Sequence, residues 1–101
     1  MKRTPKPLVL DFYTKSDCPL CDKALAVMER VFARLDDIPI ELRFRDITTN
    51  PDWFEEYQWD IPVLELEGER LFLHYAHAYE LERRLRAAWA ARIEAASEET
   101  P

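Results

Sequence analysis

Hydrophobic positions along the chain change their period several times, and each change predicts an element. Pro7 to Tyr13 (Pro-Leu-Val-Leu-Asp-Phe-Tyr) is a near-continuous apolar run, the pattern of a strand buried on both faces. From Pro19 to about Leu35 the period becomes helical. Ala24, Leu25, Met28, Val31, Phe32 and Leu35 recur at three- and four-residue spacing, while Lys23, Glu29, Arg30 and Arg34 take the other side. Ile38-Pro39 opens a second strand that runs through Phe44 to Asp46, with Ile40, Leu42 and Phe44 alternating with Glu41, Arg43 and Arg45. Asn50-Pro51-Asp52 starts a short helix reaching about Tyr57, with Asn50 as N-cap and Pro51 at the first helical position. Ile61 to Leu66, Glu67-Gly68, and Glu69 to Tyr75 predict a hairpin whose turn holds the chain's sole glycine, where positive φ is needed. From Ala76 to about Ala96 the Leu81, Leu85, Ala88, Trp89 and Ile93 series predicts a final amphipathic helix.

The predicted order is β-α-β-α-β-β-α. A right-handed first crossover makes the first two strands parallel, and the hairpin adds antiparallel ones. Helices on both faces of a central mixed four-stranded sheet then give a three-layer α/β domain. No repeat, linker or composition break divides the chain, so residues 7–96 form a single domain between tails at 1–6 and 97–101. A length of 101 residues with 48% hydrophobic positions suffices for one core without disulfide staples.

Composition removes several function classes. The net charge is −6, and an acidic balance argues against nucleic-acid binding, which draws on a basic face. One glycine leaves no Gly-rich loop to cradle phosphates. Apolar runs are too short to span a membrane. The basic start Met1-Lys2-Arg3-Thr4-Pro5-Lys6-Pro7 leads into no secretory apolar core, so a reducing cytoplasm is the expected compartment. There, two cysteines are more often redox-active or metal-binding than structural.

Cys18-Pro19-Leu20-Cys21 lies where the first strand gives way to the first helix. Pro19 suits the first helical residue, so Cys18 falls at the N-cap, facing unpaired backbone N–H groups and the positive end of the helix dipole. That environment stabilises a thiolate and marks Cys18 as the nucleophile. Cys21, one helical turn on and further inside, can close a disulfide with it and so resolve a mixed disulfide. Leu20 adds no charge between them. Lys15 is the nearest cation available to tune Cys18, opposed by Asp17 and Asp22. The bland alternative for Lys15 is a solvated loop charge.

A strand, Lys15-Ser16-Asp17-Cys18-Pro19-Leu20-Cys21, a helix, and later Ile61-Pro62-Val63 opening a hairpin resemble the thioredoxin fold. More narrowly, the chain is similar to glutaredoxins and to small glutaredoxin-like bacterial proteins, over about Leu8 to Ala96. The resemblance implies a cis Ile61-Pro62 bond packed against the cysteines, with Ile61 offering backbone hydrogen bonds to the substrate's cysteine. It implies a thiol–disulfide oxidoreductase acting on protein disulfides or glutathione mixed disulfides, with no bound cofactor. The pattern also departs from glutaredoxins. Leu20 stands where a Tyr is usual, Asp60 replaces the threonine before the Ile-Pro position, and Leu73-His74-Tyr75-Ala76-His77 replaces a Gly-Gly pair that holds glutathione. Glutathione stays an open co-substrate, and a monomer is expected.

Thioredoxins place a buried aspartate near the position of Asp11, where it relays protons to the resolving cysteine. Burial would raise such a pKa toward neutrality, as a general base needs. An aspartate at a strand edge facing water is the plain alternative. Trp53, Phe54, Tyr57 and Trp59 crowd the approach to Pro62. Most serve as core for the short helix, and Trp59 is the candidate for an apolar rim that docks a partner. Arg83, Arg84, Arg86 and Arg92 read as a solvated face paired with Glu80, Glu82 and Glu94. Two other function classes remain open. One is an interaction module with incidental thiols. The other is a metal site, either zinc on Cys18, Cys21, His74 and His77 or an iron–sulfur cluster on the cysteines.

Overall fold

Six apolar or β-branched positions, interrupted only by Asp11, give β1 (Leu8–Thr14), which lies between β2 and β3 in the sheet. The computed structural model describes residues 5–98. After β1 follow α1 (Pro19–Ala33), β2 (Ile40–Asp46), a single 3₁₀ turn at Ile47–Thr49, α2 (Pro51–Tyr57), β3 (Val63–Leu66), β4 (Glu69–Leu73) and α3 (Ala78–Glu98). The sheet order is β2-β1-β3-β4, with β1 and β2 parallel and the other neighbours antiparallel. This is the mixed four-stranded sheet the element order predicts, in the thioredoxin-like arrangement that the resemblance implies.

Alternation along β1 sorts the helices to the two faces. Tyr13 stacks on Tyr57 with ring centroids 4.0 Å apart and meets Trp53 edge-on at 5.9 Å, so α2 covers the face carrying Asp11 and Tyr13. Leu8, Leu10 and Phe12 point the other way, toward the side where α1 and α3 pack together. They join Cys21, Ala24, Met28, Val31, Leu81 and Leu85 in the buried cluster. Burial on both faces is what a continuous apolar strand requires.

Element ends differ from the sequence reading for local reasons. Ile38 donates to the Leu35 carbonyl in a turn, so β2 begins at Ile40, and the Pro39 carbonyl receives Leu8 N–H at 3.0 Å. Strand β4 stops at Leu73, not Tyr75, because His74 turns to a φ of 65°. The Glu67-Gly68 turn has φ 50° and 89°, the two positive angles of a type I′ hairpin. Helix α3 runs more than three turns past Leu85, its last buried residue, so Ile93, expected in the apolar stripe, is 44% exposed. Ser97 and Glu98 belong to this helix and not to a tail, while residues 1–4 and 99–101 lie outside the described residues. Lys6, placed in the N-terminal tail, has its carbonyl bound by Arg92 at 2.9 Å.

Candidate active site

Cys18 occupies the N-cap of α1, with an extended backbone (φ −120°, ψ 94°) and Pro19 directly after it. Its Sγ accepts the Cys21 N–H at 3.2 Å, and its carbonyl accepts the first helical bond from Asp22 at 3.1 Å. Asp17, just before it, sits at a φ of 55°, a left-handed conformation that aspartate tolerates better than most residues. Cys18 is half-buried, whereas Cys21 is 2% exposed. The two are joined as a disulfide across a Cα separation of 5.2 Å. One sulfur therefore meets solvent and backbone amides while the other is shielded, the asymmetry a nucleophile and a resolving thiol need.

A second loop reaches the same end of the sheet from β3, the strand paired with β1. Tyr13 near the end of β1 is registered with Val63 at the start of β3, so the Ile61-Pro62 segment lies at the sheet end where β1 hands over to Cys18. That peptide bond is cis. Ile61 and Pro62 are both buried. Of the Ile61 backbone groups, the N–H donates to the Tyr57 carbonyl at 3.1 Å, closing the end of α2. This leaves the Ile61 carbonyl as the group available for an incoming chain. Trp59 is 82% exposed beside this loop. Leu20 is half-buried and lines a cleft of about 70 Å³ with Lys23, Ala24, Val27, His74, Tyr75 and Ala76. Lys15 is exposed and forms no ion pair among the described residues, so the amides of α1 are the polarising groups the structure places on Cys18.

Asp11 requires a correction. It is 8% exposed, and burial alone would raise its carboxyl. Hydrogen bonds from Arg43 at 2.9 and 3.0 Å and from Arg45 at 2.9 Å outweigh that and hold it below the ordinary carboxylate range. It is a charged anchor on the α2 face, not a base of raised pKa. Beside it, Tyr57 donates to Glu65 at 3.0 Å. Burial first, then its bonds to Tyr13 and Glu65, push the Tyr57 phenol up. Arg45 also lies over the Trp53 ring at 5.3 Å. Neither network is legible in the sequence, because only the β1–β2 register sets Asp11 opposite Arg43.

The aromatic cluster divides. Trp53 and Tyr57 pack under the sheet, while Phe54 and Trp59 stay exposed. The two histidines also part company. His74 faces the Trp59 carbonyl at 3.0 Å, and His77 lines a different hollow with Leu71, Phe72, Glu80 and Leu81. Among the described residues no three His, Cys, Asp or Glu side chains gather as metal ligands, so the zinc set of two cysteines and two histidines is not assembled. No helix of the described residues is long and apolar enough to cross a membrane. On α3, Arg83 and Arg86 pair with Glu80 and Glu82 as the sequence suggests. Arg84 and Arg92 reach instead to Glu69 and Glu67 of the hairpin.

A family model described as glutaredoxin-like domain (DUF836) matches residues 9–86, a span that includes both cysteines and Pro62. The chain belongs to this glutaredoxin-like family. Solved structures show the same fold. A structural genomics target protein from X. campestris, XcR50, is 24% identical with a TM-score of 0.63, over 77% of this chain and 96% of that one. Protein Ne2328 from Nitrosomonas europaea is 22% identical with a TM-score of 0.59, over 83% and 98%. Protein SA0789 from Staphylococcus aureus is 14% identical with a TM-score of 0.63, over 84% and 94%. The glutaredoxin-like fold and the bonded Cys18–Cys21 pair fit redox function.

Proposed function

We propose that this protein is a small thiol–disulfide oxidoreductase whose Cys18 attacks disulfides and whose Cys21 resolves the adduct. The observation that carries this reading is the Cys18 sulfur at the tip of α1, accepting a backbone N–H at 3.2 Å. Amides and helix dipole stabilise negative charge there and favour the thiolate. In the first step the reduced Cys18 thiolate bonds to one sulfur of the substrate, and the other sulfur leaves as a thiolate that takes a proton from water. Cys21 then attacks Cys18 Sγ, its proton passing to water. The substrate's second thiol departs, and two electrons have moved from the dithiol to the substrate. An external thiol or a reductase restores the dithiol.

Protein disulfides suit the cleft beside Leu20 better than glutathione does. Its lining is mostly apolar, with Lys23 as its one lysine or arginine, and glutathione carries two carboxylates. Glutathione remains a co-substrate of the regenerating half-reaction in this proposal, and a reducing compartment such as the cytoplasm is where the cycle runs. The test is a Cys21→Ser variant mixed with a disulfide-linked peptide. It accumulates a mixed disulfide at Cys18, seen by mass, whereas Cys18→Ser forms none. Equal adducts at either cysteine, or no adduct, would contradict the assigned roles.

A further inference from the structure

His74 stands where β4 ends and contacts the substrate-facing loop twice. Its backbone N–H donates to the Pro62 carbonyl at 2.8 Å. Its ring Nε2 lies 3.0 Å from the Trp59 carbonyl. A carbonyl oxygen only accepts, so Nε2 carries the hydrogen in that bond. The two bonds take hold of both ends of the Trp59–Pro62 loop, while the N–H groups of Asp60 and Ile61 tie its middle to the Tyr57 carbonyl at 2.8 and 3.1 Å. His74 also lines the cleft that includes Leu20, the residue between Pro19 and Cys21.

The backbone makes the choice of residue informative. His74 has a φ of 65°, in the left-handed region that favours glycine, and a bulkier residue persists there where its surroundings over-determine it. Glycine would adopt this angle freely and would keep the N–H bond to Pro62. What histidine adds is the ring bond to Trp59, together with an edge-to-face contact with Tyr75 at 6.3 Å. Among the described residues, the ring of His77, in its separate hollow, makes no such bond.

We infer that His74 is a positioning residue of the dithiol site. Its ring bond holds the Trp59–Pro62 loop, and with it the Ile61 carbonyl and the exposed Trp59 ring, in the geometry that receives the substrate's half of the mixed disulfide. This role rests on the oxidoreductase reading above.

The experiment compares wild type, His74→Gly and His74→Gln in the reduction of a disulfide-linked peptide dimer, with dithiothreitol as electron donor. His74→Gly relieves the backbone and retains the main-chain bond, so its Tm stays at or above wild type. Its KM rises roughly three- to tenfold, the scale of one lost hydrogen bond, with kcat and the Cys18 alkylation rate unchanged. His74→Gln, whose amide N–H replaces Nε2–H, recovers most of the loss. A glycine variant with wild-type KM would overturn the role, since the ring bond would then be idle. A joint fall of Tm, KM performance, kcat and alkylation would overturn it too, by making His74 merely structural. A wild type that reduces no disulfide while Cys18 is alkylated normally would overturn the oxidoreductase reading, and this role falls with it.

Discussion

The Asp11 carboxylate accepts hydrogen bonds from two guanidinium groups at 2.9–3.0 Å. Its folded pKa is depressed, so the stability it contributes is fully present above its unfolded value of about 3.9 and is lost as pH falls through the folded one. Asp11→Ala leaves two arginines without their acceptor. Arg43 is half exposed, so the cost at pH 7 is about 2 kcal/mol, below that of a fully buried pair. Urea melts check this, and the gap from wild type narrows below about pH 4 as the wild-type carboxylate protonates. Because Asp11 faces α2, the same substitution leaves Cys18 alkylation unchanged, whereas a proton relay to Cys21 would slow resolution of a mixed disulfide. That Asp11 interrupts an apolar strand is plain in the sequence. Its partners are not, because nothing local says that Arg43 and Arg45, 32 and 34 residues on, become its neighbours. The sequence marks His74 as a zinc candidate and as part of the segment that replaces the glutathione-holding Gly-Gly pair, but its bonds depend on how β4 ends and are not legible there.

Elements with a chemical marker at their ends could be read from the chain alone. Pro19 and Pro51 each open a helix, Asn50 caps α2 by accepting from Asp52 N–H at 2.9 Å, and Gly68 sits in the hairpin turn. Ends without such markers drifted by two residues or so, as at Ile40, Leu73 and Ala78. Gly68 offers a clean test at this scale. It has a φ of 89°, and an added Cβ would meet nothing within 4 Å, so only backbone conformation resists a side chain. Gly68→Ala should cost about 1 kcal/mol in thermal melts, and Gly68→Asn, which tolerates left-handed angles, clearly less. Equal melts for alanine and wild type would show that the turn does not need its positive angle.

Across the whole molecule, the β2-β1-β3-β4 sheet order and the Tyr13–Val63 register place Cys18 and Pro62 at one end of the sheet. The placing of the Ile-Pro loop beside the dithiol could be expected from the thioredoxin-fold resemblance, since chain order and handedness by themselves give only the parallel first pair and the antiparallel hairpin. The overhang of α3 could not. Its amphipathic pattern continues past Leu85, yet the sheet beneath it ends, and Arg92 ties the surplus turns to the Lys6 and Pro7 carbonyls and to Glu67. The proposed role of Cys18 depends on the charge held by the sulfur at the tip of α1, and the pH dependence of iodoacetamide alkylation of Cys18 in the reduced protein reads that charge. The expected midpoint lies well below the value of about 8.5 for an unperturbed cysteine. A midpoint at or above that value would contradict that role.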